Sequence, residues 1–167
     1  MGMKRLTTSA SITLLVSALC VSGAFASPMA DRVLVIKSQK RLLLLRAGSV
    51  LKSYRIALGR KPGAKTCQAD CRTPEGRYVI DRHNSRSRFY KSLHISYPNA
   101  VDLSQARKTG HSAGGEVMIH GLPRGFEDLG TLQATRNWTK GCIAVSNREM
   151  DEIWQLVADG TPIDIRP

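Results

Sequence analysis

Most of the chain consists of short segments in which apolar and polar positions alternate. RVLVIKS (32–38), RLLLLRA (41–47) and SVLKSYRIALG (49–59) follow one another with polar or glycine-containing breaks between them. Alternation sends successive side chains to opposite faces of an extended backbone, so these runs predict half-buried strands joined as hairpins. GRYVID (76–81), SLHISYP (92–98) and GEVMIHG (115–121) continue the pattern, and TPIDIR (161–166) closes it. Two stretches have helical spacing instead. NAVDLSQARK (99–108), after Pro98, is short and amphipathic. SNREMDEIWQLVADG (146–160) carries Ser146 and Glu149 at capping-box spacing, with Gly160 placed to end the run. Met150, Ile153, Trp154 and Val157 share one face of that helix and are predicted to enter the core. The expected fold class is mainly β: a β-sandwich or partly open barrel with one or two short helices.

The N-terminus reads differently. Lys4 and Arg5 precede the apolar, small-residue run LTTSASITLLVSALCVSGAF, and Ala24-Phe25-Ala26 has the small-x-small form of a cleavage site. Residues 1–26 are therefore expected to be a secretory signal peptide, with 27–167 a single catalytic-size domain. The early Thr and Ser residues weaken the alternative of a retained membrane anchor, and bulky Leu19 argues against lipidation at Cys20. No stable membrane insertion is expected after cleavage. The net charge of +12, less Lys4 and Arg5, leaves +10 on the exported part. Its Lys and Arg are scattered and aromatics make up only 5% of the chain, so a nucleic-acid partner is not expected. An anionic cell envelope suits this charge better.

Cysteine bookkeeping brings in chemistry. Three cysteines follow the cleavage site: Cys67, Cys71 and Cys142. In an oxidising compartment the two in CQADC are spaced to close a small disulfide loop, Cys67 to Cys71, that would shape the loop rather than hold the fold. A metal reading of CxxxC finds no second Cys or His pair at ligand spacing, and neither metal nor cofactor is expected. Cys142 is left over by elimination. A thiol attacks acyl groups as the thiolate, so a catalytic Cys142 needs a base or a positive field beside it. His83 and His94 lie within or at the end of strands, and His111 sits in the polar loop TGHSAGG. His120 ends the apolar strand VMI and is followed at once by Gly121, at the kind of strand end where a scaffold presents reactive groups. Gly141 allows close approach of a substrate, and N–H groups around Cys142 could face a developing oxyanion.

These residues resemble a known family. Ile119-His120-Gly121 followed by Thr139-Lys140-Gly141-Cys142-Ile143 is similar to the active-site signature of the L,D-transpeptidase (YkuD-type) catalytic domain. TPEG (73–76), SLHISYPNAVD (92–102), GGEVMIHG (114–121) and WTKGCIAVSNREMDEIW (138–154) extend the match over roughly residues 32 to 166, closest to the YafK-like branch. The resemblance implies a β-sandwich enzyme of cell-wall biogenesis and cell shape. It would act in the periplasm on peptidoglycan stem peptides at the diaminopimelate position, as a monomer, through an acyl-enzyme. On this sequence Cys142 is then the nucleophile and His120 the base, oriented by the Gly121 carbonyl. Backbone N–H groups of Lys140, Gly141 and Cys142 would form the oxyanion hole, and Thr139, Tyr97 and Asn147 are candidate substrate contacts.

Two positions depart from the commoner family pattern. Lys140 stands where His is usual, and Ala144 where Arg is usual; that Arg is credited with holding a substrate carboxylate. Lys140 is expected to favour the Cys142 thiolate as a flexible point charge. The branch also includes amidases that release a lipoprotein linked to diaminopimelate, so a peptidoglycan-linked lipoprotein is a candidate partner. Two non-catalytic alternatives stay open: an inactive cell-wall-binding module, and a surface protein dimerised by a disulfide at Cys142.

Overall fold

A computed structural model describes Met1 and residues 29–167; the rest of the expected signal peptide lies outside the described residues. In chain order the elements are β1 (Arg32–Ile36), β2 (Arg41–Arg46), β3 (Ser49–Arg55), β4 (Gly76–Ser87), β5 (Tyr90–Ile95), α1 (Ala100–Lys108), β6 (Met118–His120), a 3-10 helix (Glu127–Thr135), β7 (Ile143–Ala144), α2 (Asn147–Leu156) and β8 (Pro162–Arg166). The alternation read in the sequence becomes the core. Val33 and Val35 of β1 are paired with Leu44 and Leu42 of β2, and all four are fully buried. Directly opposed residues share a face, so both strands present their apolar side to the same interior.

The strands form one mixed sheet in the order β3-β2-β1-β8-β4-β5-β6-β7, with β1–β8 and β6–β7 parallel and the other neighbours antiparallel. β4 makes the turn from one half to the other. Its first residues, Gly76–Val79, pair with β8; from Ile80 onward it pairs with β5, and the register shifts between Ile80 and Arg82. Such an irregularity bends a strand and sharpens its twist, which folds one half of the sheet over the other. The two edges approach through two isolated bridges, Ala57 to Ala144 and Gly59 to Thr139. Ala57, just past β3, exchanges both backbone hydrogen bonds with Ala144 of β7, at 2.9 and 2.8 Å. These isolated bridges do not close the sheet, so the described residues form a mainly β fold with an open eight-stranded sheet and three short helices.

Both expected helices form. Asn99 caps α1 in a reciprocal box with Asp102, and Ser146 caps α2 in the predicted box with Glu149. α2 ends at Leu156 rather than running to Gly160, because Val157 turns extended, yet Val157 stays buried beside Met150 and Ile153. Trp154 is half-buried, its ring 4.5 Å edge-on from His83. Three elements have no counterpart in the pattern. The far half of β4 is polar and largely exposed, β7 has two residues, and the 3-10 helix leaves Leu129 and Leu132 in solvent instead of forming a buried stripe.

Candidate active site

β6 and β7 run side by side with His120 opposite Ala144. Cys142 immediately precedes β7, so the chain delivers it beside the strand pair that carries His120. The imidazole is 3% exposed and its Nδ1 lies 2.7 Å from the carbonyl oxygen of Gly121. A carbonyl only accepts, so Nδ1 carries the proton and Nε2 is left as the basic nitrogen. Phe89 lies 4.5 Å from the imidazole, and Trp138 5.7 Å away, edge-on. Burial pushes the His120 pKa down to about 4, with the Gly121 carbonyl pulling weakly the other way. The ring is neutral, and so ready to accept a proton, over the ordinary pH range.

Gly121 admits nothing larger: a Cβ there would stand 2.6 Å from Asn147 Oδ1. That oxygen accepts the Leu122 N–H at 2.7 Å, so Asn147, the first residue of α2, clamps the turn that carries the Gly121 carbonyl. Its expected role as a substrate contact becomes at least partly one of positioning. Thr139 is buried and works within the loop: its hydroxyl accepts the Gly141 N–H at 3.1 Å and donates to the Cys142 carbonyl at 2.7 Å. The expected oxyanion trio is thereby corrected. Gly141 N–H is already spent on Thr139, whereas the N–H groups of Lys140 and Cys142 have no acceptor among the described residues. Tyr97 is also corrected. It is 4% exposed, donates to the Ala113 carbonyl at 3.0 Å and packs 5.9 Å from the Tyr78 ring, all of which make it a core residue.

Burial raises the Cys142 thiol pKa; the Met118 backbone and the Lys65 charge pull it down, and Glu116 pushes it up. The Sγ lies 3.6 Å from the Glu116 carbonyl oxygen. Lys140, expected to supply the local charge, is exposed and is not among these influences. A positive charge that does lower the thiol pKa is that of Lys65, which stands 77 positions upstream of Cys142 and carries no motif that would single it out in the sequence. It belongs to a strap, residues 65–72, gathered around Asp70. The Asp70 carboxylate accepts N–H groups of Thr66, Cys67 and Arg72 at 2.8, 3.2 and 3.0 Å and the Lys65 ammonium at 2.9 Å. Burial alone would raise its pKa, but these donors hold it down at about 2. Cys67 and Cys71 are free thiols here, so the expected disulfide is not what shapes the loop; Asp70 does that.

The strap packs beside the segment that carries Cys142. Gln68 lies against Gly114 and donates its N–H to the Ser112 carbonyl at 2.7 Å, and a Cβ on Gly141 (φ +137°) would stand 2.8 Å from the Arg72 carbonyl oxygen. The other histidines are occupied elsewhere or remote: His83 pairs with Asp159, His94 with Asp81, and His111 is exposed. Among the described residues no three His, Cys, Asp or Glu side chains group as metal ligands. Two cavities meet at Leu122. An apolar groove of about 460 Å³ runs between Trp138, Phe126, Leu129 and Leu132, and a polar hollow of about 380 Å³ is lined by Arg86, Arg124, Glu127 and Asn147.

A family model of the L,D-transpeptidase catalytic domain (YkuD) matches residues 30–165, across β1 to β8 and through both His120 and Cys142. The chain belongs to the L,D-transpeptidase family. YafK of Escherichia coli (strain K12), a protein named for the L,D-transpeptidases, is 34% identical over 97 residues, covering 57% of this chain and 32% of its own length. The cell-shape-determining protein Pgp2 of Campylobacter jejuni has a similar fold, with TM-score 0.61 and 24% identity over 83% of this chain and 48% of Pgp2. An L,D-transpeptidase from Mycobacterium smegmatis aligns with TM-score 0.55 and 15% identity, over 81% of this chain and 58% of that one. This L,D-transpeptidase-family chain thus spans about a third of the length of its curated relative and about half that of Pgp2.

Proposed function

We propose that this domain is exported to the cell envelope and acts on peptidoglycan stem peptides at the diaminopimelate position through an acyl-enzyme on Cys142. The observation that carries the reading is the His120–Gly121 contact, which leaves a neutral imidazole with a basic Nε2 on β6, paired with the strand that Cys142 leads into. His120 takes the thiol proton as sulfur attacks the carbonyl carbon at the L-centre of diaminopimelate. The N–H groups of Lys140 and Cys142 receive the developing oxyanion. Collapse breaks the C–N bond, and His120 returns the proton to the departing amine. Water or an acceptor amine then adds to the thioester, gives its proton to His120 and releases Cys142 as the thiol.

Ala144 bears on which resolves the thioester. It is fully buried with both backbone groups bound to Ala57, so β7 offers no fixed cation for an acceptor's carboxylate. Hydrolysis, including release of a lipoprotein linked to diaminopimelate, is therefore expected to match or exceed crosslink formation. The test is incubation with purified sacculi, with and without attached lipoprotein, followed by separation of the muropeptides, with Cys142→Ala as control. Cut diaminopimelate amides support the reading. Efficient 3-3 crosslinking with protein-linked muropeptides left whole would sink the hydrolase preference, and sacculi left unchanged would sink the substrate class.

A further inference from the structure

Sulfur must become anionic during attack, yet the residue against it carries a carboxylate. The Cys142 Sγ lies 3.6 Å from the carbonyl oxygen of Glu116, and the Glu116 charge pushes the thiol pKa up. The backbone of Glu116 is also strained: its φ of +54° is left-handed, a region that residues with a β-carbon seldom occupy and that clusters at functional sites. A carboxylate that opposes the nucleophile at rest is useful only if something positive comes to meet it. The surrounding strands present a partner for the other half of such a ligand. Arg82 of β4 is paired with His94 of β5, and His94 with Met118 of β6, two residues before His120. Directly opposed residues and residues two apart share a face, so this row carries the His120 face outward to the rim.

At the rim the Glu116 carboxylate, 74% exposed, stands 4.0 Å from the Arg82 guanidinium, 59% exposed, and 4.0 Å from His94 Nε2. Asp81 holds the other nitrogen of His94 at 2.6 Å. A separation of 4.0 Å is too long for a hydrogen bond, and among the described residues neither the Glu116 carboxylate nor the Arg82 guanidinium has a hydrogen-bond partner. A charged acceptor and a forked cationic donor are thus left unused beside the nucleophile, the two halves needed to hold an ammonium and a carboxylate borne on one carbon. We propose that Glu116 and Arg82 form a subsite for the free amino-acid end of diaminopimelate, Glu116 receiving its ammonium and Arg82 its carboxylate. The reach agrees: the glutamate side chain and the diaminopimelate arm between its two centres each span about 4–6 Å, so an arm running back from the attacked carbonyl ends at the Glu116 carboxylate. The bound ammonium also neutralises Glu116 as sulfur acquires its charge. The proposal rests on the peptidoglycan reading and names which part of the donor peptide is recognised.

The experiment compares kcat/KM for amine release from three stem peptides that differ only at that end of diaminopimelate: unmodified, with the amine acetylated, and with the carboxyl amidated. The native chain should prefer the unmodified peptide about three- to tenfold over each of the others, the range of charge-assisted contacts at an exposed rim. Glu116→Gln should abolish the discrimination against acetylation and keep that against amidation, and Arg82→Gln should do the reverse. Both side chains are exposed, so the replacements leave the fold in place. Ratios that the variants leave unmoved, or variants that slow all three peptides equally, overturn the proposal. A second measurement needs no peptidoglycan: the rate at which cationic aminoethyl methanethiosulfonate modifies Cys142, relative to neutral methyl methanethiosulfonate, read by non-reducing mass spectrometry of the Cys142 peptide. Both reagents meet the same thiolate, so the ratio cancels its population and reads the local charge. Glu116→Gln should lower that ratio by about threefold, and an unmoved ratio overturns the proposal. If the native chain turns over none of the peptides, the peptidoglycan reading fails by itself, and a lowered ratio still assigns Glu116 as an ammonium site beside the sulfur.

Discussion

At the residue scale the site is governed by burial. Burial raises the Cys142 thiol pKa and lowers that of His120 to about 4, so the pair rests uncharged instead of as an ion pair. His120 can accept a proton only while neutral, and the acid limb of kcat/KM for the free enzyme should therefore have its midpoint near 4 rather than near the ordinary 6.5. A limb centred at 6.5 would show that burial does not lower the His120 pKa in the free enzyme. The same group sets a stability trend. Between its unfolded value of 6.5 and about 4 the unfolded chain binds the extra proton, so stability falls as pH drops through that window. Thermal melts should show a steeper decline from pH 7 to 4 in the wild type than in His120→Ala. Cys142→Ala should reduce turnover to background while shifting the melt by only a few degrees, since a small truncation costs about 1–3 kcal/mol.

At the element scale, two devices hold the reactive loop: the cap of α2 and the Asp70 strap. Ser146 caps α2 immediately after β7, and Asn147, the next residue, reaches back to clamp the Gly121 turn. Ser146→Ala should cost about 1 kcal/mol, read as a lowered denaturation midpoint with unchanged slope. Asp70 gathers backbone donors that would otherwise be stranded, and a carboxylate in that role is worth more than a bridge across three residues. The double variant Cys67→Ser/Cys71→Ser should accordingly keep most of the activity, and Asp70→Asn should lose at least tenfold. The reverse order would restore the disulfide as the shaping element. Gly141→Ala sets a Cβ 2.8 Å from the Arg72 carbonyl at a left-handed φ, and should cost about 1–3 kcal/mol and displace the strap.

Across the whole molecule, charge and cavity shape determine what can reach the site. The sequence carries +12 overall, with cations dispersed instead of gathered into one stripe. Long-range attraction to an anionic wall follows, and it is screened within about 8 Å at physiological salt. Co-sedimentation of Cys142→Ala with purified sacculi should therefore weaken steeply between about 50 and 500 mM salt, while turnover of small soluble muropeptides should depend on salt far less. Binding that ignores salt would assign retention to the apolar groove lined by Phe126, Leu129 and Leu132.

Several features were legible in the chain itself. Period-two patterning located the core strands β1, β2, β5 and β8, because a half-buried strand must alternate. Capping-box chemistry located the start of α2, because orphan N–H groups need a local acceptor. His120-Gly121 and Gly141-Cys142 were legible as motifs, since a glycine beside a reactive residue reflects backbone crowding that no larger residue tolerates. What the pattern could not give depends on distance in space. β7 is two residues long and exists only because β6 lies beside it, and the 3-10 helix buries no stripe to betray it. Gly141 N–H is lost to the oxyanion hole because Thr139 folds back on it, and Tyr97 leaves the site because its hydroxyl finds Ala113. Which residues gather around Asp70 was likewise decided by folding: Lys65, Thr66, Cys67 and Arg72 form a strap that its carboxylate holds, while Lys140, two positions before Cys142, stays exposed. Sequence alone fixes local preference and chemical inventory; which charges share a low-dielectric space is a property of packing.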